Sequence, residues 1–364
     1  MPDLRPPAGH WRNLLLLIGI YAYIAVVVLA ALWFFRWREG TPPMRENSWP
    51  WWTDLPVAFL AIALIGPAQH RLVLLGQDAC MGCLFRNRWV NELAGDWLIH
   101  FPFTTATHHM RHVVRSHYEF PNDPARDAEL IIATRAGFWP LKAGRLFRLT
   151  ALIRWHSLRA NYNFMANPTN PYQEPGERPS KVALNIGSAY VIVMFSILIG
   201  LYLSPNWWVL VIAPPGMWLV ACTIFLLLPG RLFHRSRLEY VYSPRVRTLM
   251  QITFITLLNL GLGWSSYLTG RSGILNYVAL WVGPMVTTCT WSMLLRQWRQ
   301  HASRGREVAK CSGDFRVRLQ HRLIVFPLNQ HLHQTKHDHP AAPWYNLPEL
   351  APPSPAEPLA TPPA

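Results

Sequence analysis

The sequence is poor in charge: Asp, Glu, Lys and Arg make up 15% of its 364 residues, and the acids are the scarcer kind, 19 against 34 Lys and Arg. Soluble domains usually carry about 25% charged residues. Here the charge is also segregated, with long runs almost free of it alternating with stretches dense in Arg and His. A nucleic-acid binder clusters its cations on one face of a soluble fold, so this pattern excludes that class and makes the net charge of +15 a matter of membrane topology. Cysteine is scarce as well. Cys80, Cys83, Cys222, Cys289 and Cys311 fall at expected inner or membrane positions, a reducing or apolar setting in which cysteine usage is uninformative about disulfides. Cys80 and Cys83 form one C-x-x-C with no second pair, so small-residue packing at a helix end is the plainer reading than zinc or redox chemistry. No internal repeat, G-x-G-x-x-G fingerprint or haem motif is present.

What the sequence does have is apolar length. Runs at 14–34, 182–203, 207–228, 248–268 and 274–295 are each long enough to cross a hydrocarbon core of about 30 Å. A sixth, 55–68, spans when extended through His70 and Leu75, with Arg71 snorkelling to the interface. The first run follows Arg5 and Arg12 but is too long for a secretory signal and lacks a small-residue cleavage site. Placing the amino terminus inside leaves only Arg36, Arg38, Arg45 and Arg271 in outer loops and thirty cations within. That bias predicts a multi-pass integral membrane protein with both termini cytoplasmic. The expected fold is all-α, a bundle of about six transmembrane helices, forming one domain over 1–350 with His-bearing inner segments at 76–181 and 296–350. Residues 351–364, rich in Pro and Ala, are expected to be disordered. Within the first inner segment, 93–107 reads as an interfacial or re-entrant helix and PNDP at 121–124 as a turn. Transport is disfavoured, because the clean helices carry no charge near their midplanes.

Ten of the fifteen histidines lie in three inner places: His100, His108, His109, His112 and His117, then His301, then His331, His333, His337 and His339. Imidazoles gathered at one membrane face can hold iron, copper, zinc or nickel. On a helix, His333 and His337 share a face, as do His109 and His112. For His331, His339 and His100, solvation or interfacial hydrogen bonding is the commoner role. Asp78 is placed either to orient a ligand histidine or to cap a helix. Arg111, Arg115 and Arg126 suit an anionic headgroup or a solvated basic face.

The stretches QHRLVLLGQDACMGCLFRNRWVNELAGDWL, RHVVRSHYEFPNDPARD and FPLNQHLHQTKHDHPAAPWYNLPEL resemble the membrane fatty acid desaturase superfamily, which includes carotenoid hydroxylases and ketolases. The resemblance covers most of 55–350 and keeps the family's order of hairpin, two histidine boxes and a third box after the last helix. The boxes themselves are altered. Gln77 and Met81 stand where the first box has histidines, with Asp78 and Gly82 retained; the second reads Val114, His117 and Tyr118; the third reads His333, Lys336 and His337; and the accessory histidine is His301.

The resemblance implies a non-haem iron oxidoreductase that uses O2 to desaturate or hydroxylate a lipid-like or other apolar chain. His117, His301, His333 and His337 would be the ligands, His109 and His112 the alternatives, and the number of irons, two, one or none, stays open. Its partners would be membrane lipid, an acyl substrate and a separate electron donor, a ferredoxin or a cytochrome with its reductase, with no nucleic acid. The competing expectation is a catalytically degenerate homologue that binds lipid or a protein partner.

Overall fold

A computed structural model describes residues 10–39, 50–135, 170–174, 180–203, 206–234, 236–301 and 313–352. Arg45, Cys311 and most of the Pro/Ala-rich tail lie outside the described residues. Those described are helical, with a single isolated bridge between Gln173 and Ser236 and no strand. Six helices are long and apolar enough to cross a membrane: α1 (His10–Arg38), α2 (Asp54–Cys80), α6 (Val182–Leu203), α7 (Trp207–Leu227), α8 (Pro244–Thr269) and α9 (Gly273–His301). Between and after them lie α3 (Arg88–Gly95), α4 (Thr107–Glu119), α5 (Ala128–Arg135), α10 (Leu319–Ile324), α11 (His333–Asp338) and α12 (Leu347–Leu350).

The long helices are apolar all round, which in water would aggregate and in lipid is stable. Helix α1 buries Leu17, Ile20, Ile24, Ala31 and Phe35 along one stripe, and leaves Leu15, Ile18, Val26, Leu29 and Trp33 exposed on the other side. The buried stripe packs on α2, and α2 packs on α9, giving one three-helix core. Gly66 permits the closest part of that contact: a Cβ there would lie 2.6 Å from the Cys289 backbone nitrogen. Helix α9 contains two π-helical turns, Val278–Val282 and Met285–Cys289. Such turns disturb the backbone ladder and expose carbonyls. Gln69 uses one, donating to the Trp281 carbonyl at 2.9 Å, while Thr288 donates across to the Ile62 carbonyl at 2.7 Å.

Helices α6, α7 and α8 form a second core around Tyr190, Met194, Phe225 and Ile252. Hydroxyls tie them together inside the apolar layer, with Tyr190 and Thr256 at 2.5 Å and the Trp218 indole donating to Thr253 at 3.0 Å. The two cores meet where Trp97 packs edge-on and Phe101 tilted against Phe254. The expected interfacial helix at 93–107 is in fact α3, a π-helical turn over Asp96–His100 and a turn leading to α4.

The short helices collect where α2 and α9 end and α1 begins. Asn13, near the start of α1, donates to the Leu84 carbonyl at 2.8 Å and accepts from the Trp344 indole at 2.9 Å. Arg12 lies over the Tyr345 ring, and Leu347 is fully buried, so the carboxy-terminal segment is docked on the bundle. At the far end of the helices, Arg38 pairs with Asp54 at 2.6 Å and Arg271 donates to the Phe35 carbonyl at 2.7 Å.

Candidate metal centre

Four histidines distant in sequence close into a ring. His117 ends α4, His301 ends α9, and His333 and His337 stand one turn apart on α11. Ring centroids are 5.3 Å apart for His117 and His301, 4.9 Å for His301 and His333, 4.6 Å for His333 and His337, and 4.9 Å for His337 and His117. These are the four expected ligands. Ligand atoms of His117, His333 and His337 lie within 4.8 Å of one another, and so do those of His117, His301 and Glu129.

The local chain explains the convergence. Asn122 adopts a left-handed φ of 60°, and Asp123 accepts the backbone N–H groups of Ala125 at 2.8 Å and Arg126 at 3.1 Å. This Asx-type turn reverses the chain after α4 and starts α5 beside it. Asp127 and Glu129 thereby come back to His117, whose Nδ1–H donates to the Asp127 carboxylate at 3.1 Å. Its Nε2 is 3.8 Å from Glu129 Oε2. Asp127 is itself held, accepting from the Asn122 N–H at 2.8 Å and the Leu130 N–H at 3.2 Å. Helix α11 is fixed by Asp314, which accepts from the Thr335 N–H at 3.1 Å and from its hydroxyl.

Several ring nitrogens are left without partners: His333 Nε2 and both nitrogens of His337. Unpartnered buried polar atoms are costly and usually mark an absent ligand or water. Burial first, then the neighbouring imidazoles, hold His333 well below the ordinary histidine range. Burial likewise, with His117, His301 and Lys336, pushes His337 down to about 2. Both are therefore neutral at physiological pH and present lone pairs. His117 differs: burial opposes its charge, but Glu129 and Asp127 outweigh that and push it up to about 9. An imidazole whose second nitrogen is gripped by a carboxylate is a strong, oriented metal ligand once its outer proton is displaced. Four imidazoles and one carboxylate, His117 and His333 buried and the others half-buried, with His117 backed by Asp127, fit a transition-metal ion.

A small cavity adjoins the ring, lined by Gln77, Val114, His117, Tyr118, Glu129, Arg296, His301 and His333. Tyr118 lies edge-on to His337 at 4.9 Å, and burial pushes its phenol up to about 12, so it stays protonated.

Asp78, expected to orient a histidine or cap a helix, does neither: its carboxylate accepts from Lys336 Nζ at 2.8 Å and from the Trp344 N–H at 3.3 Å. The carboxylate behind a cluster histidine is Asp127. Lys336 also donates to the Ala342 carbonyl at 2.7 Å; burial opposes its charge, but Asp78 outweighs that and its pKa is raised. The ammonium is thus held in an ion pair and offers no lone pair to a metal. His109 and His112 are not part of the ring. His112 has Asn170 Nδ2 3.2 Å from Nδ1 and the Ser236 hydroxyl 2.9 Å from Nε2, and it packs against His108 and His234. His109 has Arg247, His234, His112 and His100 for charged or titratable neighbours. His100 is buried, 3.0 Å from the Thr107 hydroxyl, while His339 is exposed.

Cys80 and Cys83 are free thiols and bond to the Thr107 and Ala341 carbonyls. Glu129, Asp127 and Arg296 carry no histidine-box signature, and sequence reading passed over them; the PNDP turn, which folds the following acids onto His117, is the signal that could have found the first two. Comparison with known proteins finds no matching family model, curated protein or solved structure.

Proposed function

We propose that this chain is a membrane-bound non-haem metal oxidoreductase, acting with O2 on a lipid-like or other apolar chain. The supporting observation is the closed ring of His117, His301, His333 and His337, with unpartnered nitrogens and with Asp127 and Glu129 behind and beside it. Iron is the metal that the resemblance to membrane fatty acid desaturases implies. When bound, it supplies the redox chemistry with O2 that breaks an unactivated C–H bond. The protein's part is to hold the ion with neutral imidazoles, to keep His117 oriented through Asp127, and to exclude bulk water by burying the ring at the ends of the helices. Desaturation and hydroxylation share these requirements. Electrons come from a separate ferredoxin or cytochrome with its reductase.

The site holds one ion per chain. Both three-ligand groups share His117, and His117 has only Nε2 to offer because Nδ1 faces Asp127. The charge bias of the sequence supports an orientation with both termini and the ring on the cytoplasmic side. A reporter fused after Ala364 should read as cytoplasmic, and an external reading would reverse this orientation.

Elemental analysis of the purified, iron-reconstituted chain tests the reading. The expected content is close to one iron per chain, lost in His333→Ala and His337→Ala and kept in His339→Ala. Reductant-dependent O2 consumption should appear only with an apolar chain present. Wild-type protein without any transition metal would leave the second reading, a lipid- or partner-binding protein of the same fold. The Asp78–Lys336 ion pair favours that alternative, since it locks a family ligand position into a structural contact.

A further inference from the structure

The cavity beside the histidine ring holds a cation that the metal reading leaves without a role. Arg296 is 4% exposed, on a membrane helix where a buried charge is costly. Its Nη1 is committed to the side-chain oxygens of Gln300 at 3.1 Å and Gln330 at 3.2 Å. Its Nε–H has no partner, although the residue lines the same cavity as His117, Glu129, His301 and His333. Gln77 lines the cavity too, with an unpartnered side-chain oxygen. The oxygen and nitrogen of an amide are interchangeable in shape, so a flipped Gln77 would present a donor there instead.

We propose that this cavity is a binding site for a small monoanion, seated beside the metal and held by the Arg296 Nε–H and the Gln77 amide. The inference rests on the metal-centre reading above. Its basis is charge and hydrogen bonding together. A divalent ion and the Arg296 guanidinium bring three positive charges, against two negative ones on Asp127 and Glu129; the Asp78–Lys336 pair is internally balanced. One positive charge in a buried site remains uncompensated, which is unfavourable until an anion enters. The ligand class is a small monoanion with a lone pair for the metal and another for Nε–H, as in hydroxide, a carboxylate head or azide.

The test uses the full chain in detergent, loaded with cobalt(II), with azide as the probe. Cobalt content and the visible ligand-field spectrum are measured on the same samples. Wild-type protein should show a saturable spectral change with azide. Arg296→Lys and Arg296→Gln should weaken azide about ten- to hundredfold, as expected for loss of one charge-assisted hydrogen bond, the Gln variant more. Gln77→Glu puts a competing carboxylate in the cavity and should abolish the azide response while cobalt stays bound. If the Arg296 variants lose cobalt, Gln77→Glu decides alone. Azide affinities within twofold across the cobalt-loaded proteins, or no azide response in the cobalt-loaded wild type, overturn the proposal. Wild-type protein that binds no cobalt overturns the metal reading and this inference with it, and the cobalt assay separates that failure from the others.

Discussion

Two groups of buried histidines lie at the same end of this bundle, and they are built differently. In the first, the rings of His117, His301, His333 and His337 pack against one another beside a small cavity, with Glu129 near His117 and His301 and Asp127 behind His117. In the second, His108, His109, His112 and His234 gather near Arg247, with His100 beside His109; His108 stacks on Tyr240 at 4.0 Å and its Nδ1 faces Arg111. The acids near this second group are already used, Glu92 by Arg111 and Asp96 by Tyr242 and the Thr107 N–H. Among the described residues, three ligand atoms come within reach of one ion only in the first group. The lesson is that imidazole number does not make a metal site. Both groups leave ring nitrogens unpartnered, His108 Nε2 and His234 Nε2 in the second; what separates the first is that a carboxylate and several imidazole nitrogens there converge on one point, while arginine and hydroxyl neighbours surround the second.

The sharpest way to break this contrast is metal content. His333→Ala or His337→Ala should take bound iron from about one per chain to a tenth or less, since a missing ligand also frees its neighbours. His112→Ala should keep the iron and instead lower detergent melting stability, by about 1–3 kcal/mol, because Asn170 and Ser236 lose their partner. Equal iron loss from both kinds of variant, measured by elemental analysis, would erase the distinction.

Next in size is the ion pair that joins α2 to α11. Lys336→Met should destabilise the protein by about 3–5 kcal/mol in thermal melting, because Asp78 is left charged and buried. Adding Asp78→Asn should recover most of that loss. A single variant that melts like wild type would mean that the pair does not anchor α11. Truncation after Pro340 removes Trp344 and Leu347 as well and should lower melting further than removal of residues 353–364, which should be silent.

Asp127→Asn should weaken iron about 10- to 100-fold while leaving the fold intact, the usual effect of losing the carboxylate behind a ligand histidine. Unchanged affinity in a metal-competition titration would remove Asp127 from the site. The smallest expected effect is on protons. His117 is pushed up to about 9 and so carries a proton at pH 7, whereas His333 and His337 are neutral there. Metal binding at pH 7 should therefore release about one proton per chain, and affinity should fall about tenfold per pH unit as pH drops below 9. Calorimetry in buffers of different ionisation enthalpy reads that proton directly; a release near zero would mean His117 is already neutral or is not a ligand.

The membrane helices were legible because the signal is local: twenty-odd apolar residues report their own environment whatever surrounds them. Even 55–68 extended as expected, α2 running from Asp54 to Cys80 through His70 and Arg71. His117, His301, His333 and His337 were also singled out, by resemblance of their spacing to histidine boxes, and the fold brings all four together. The role of Lys336, which stands in the third box, was not legible, because its partner Asp78 lies 258 residues away.

The sequence by itself therefore determined the solvent of this protein, its six candidate spans and the pool of histidines from which a site is drawn, since burial in lipid and residue chemistry are properties of short segments. Only the tertiary structure decided which histidines meet, that Asp127 and Glu129 join them, and that His112 is engaged elsewhere. Those outcomes depend on a few ångströms between elements far apart in the chain, set by the turn at Asn122, the docking of α11 through Asp314 and Asp78, and the packing of α9 on α2.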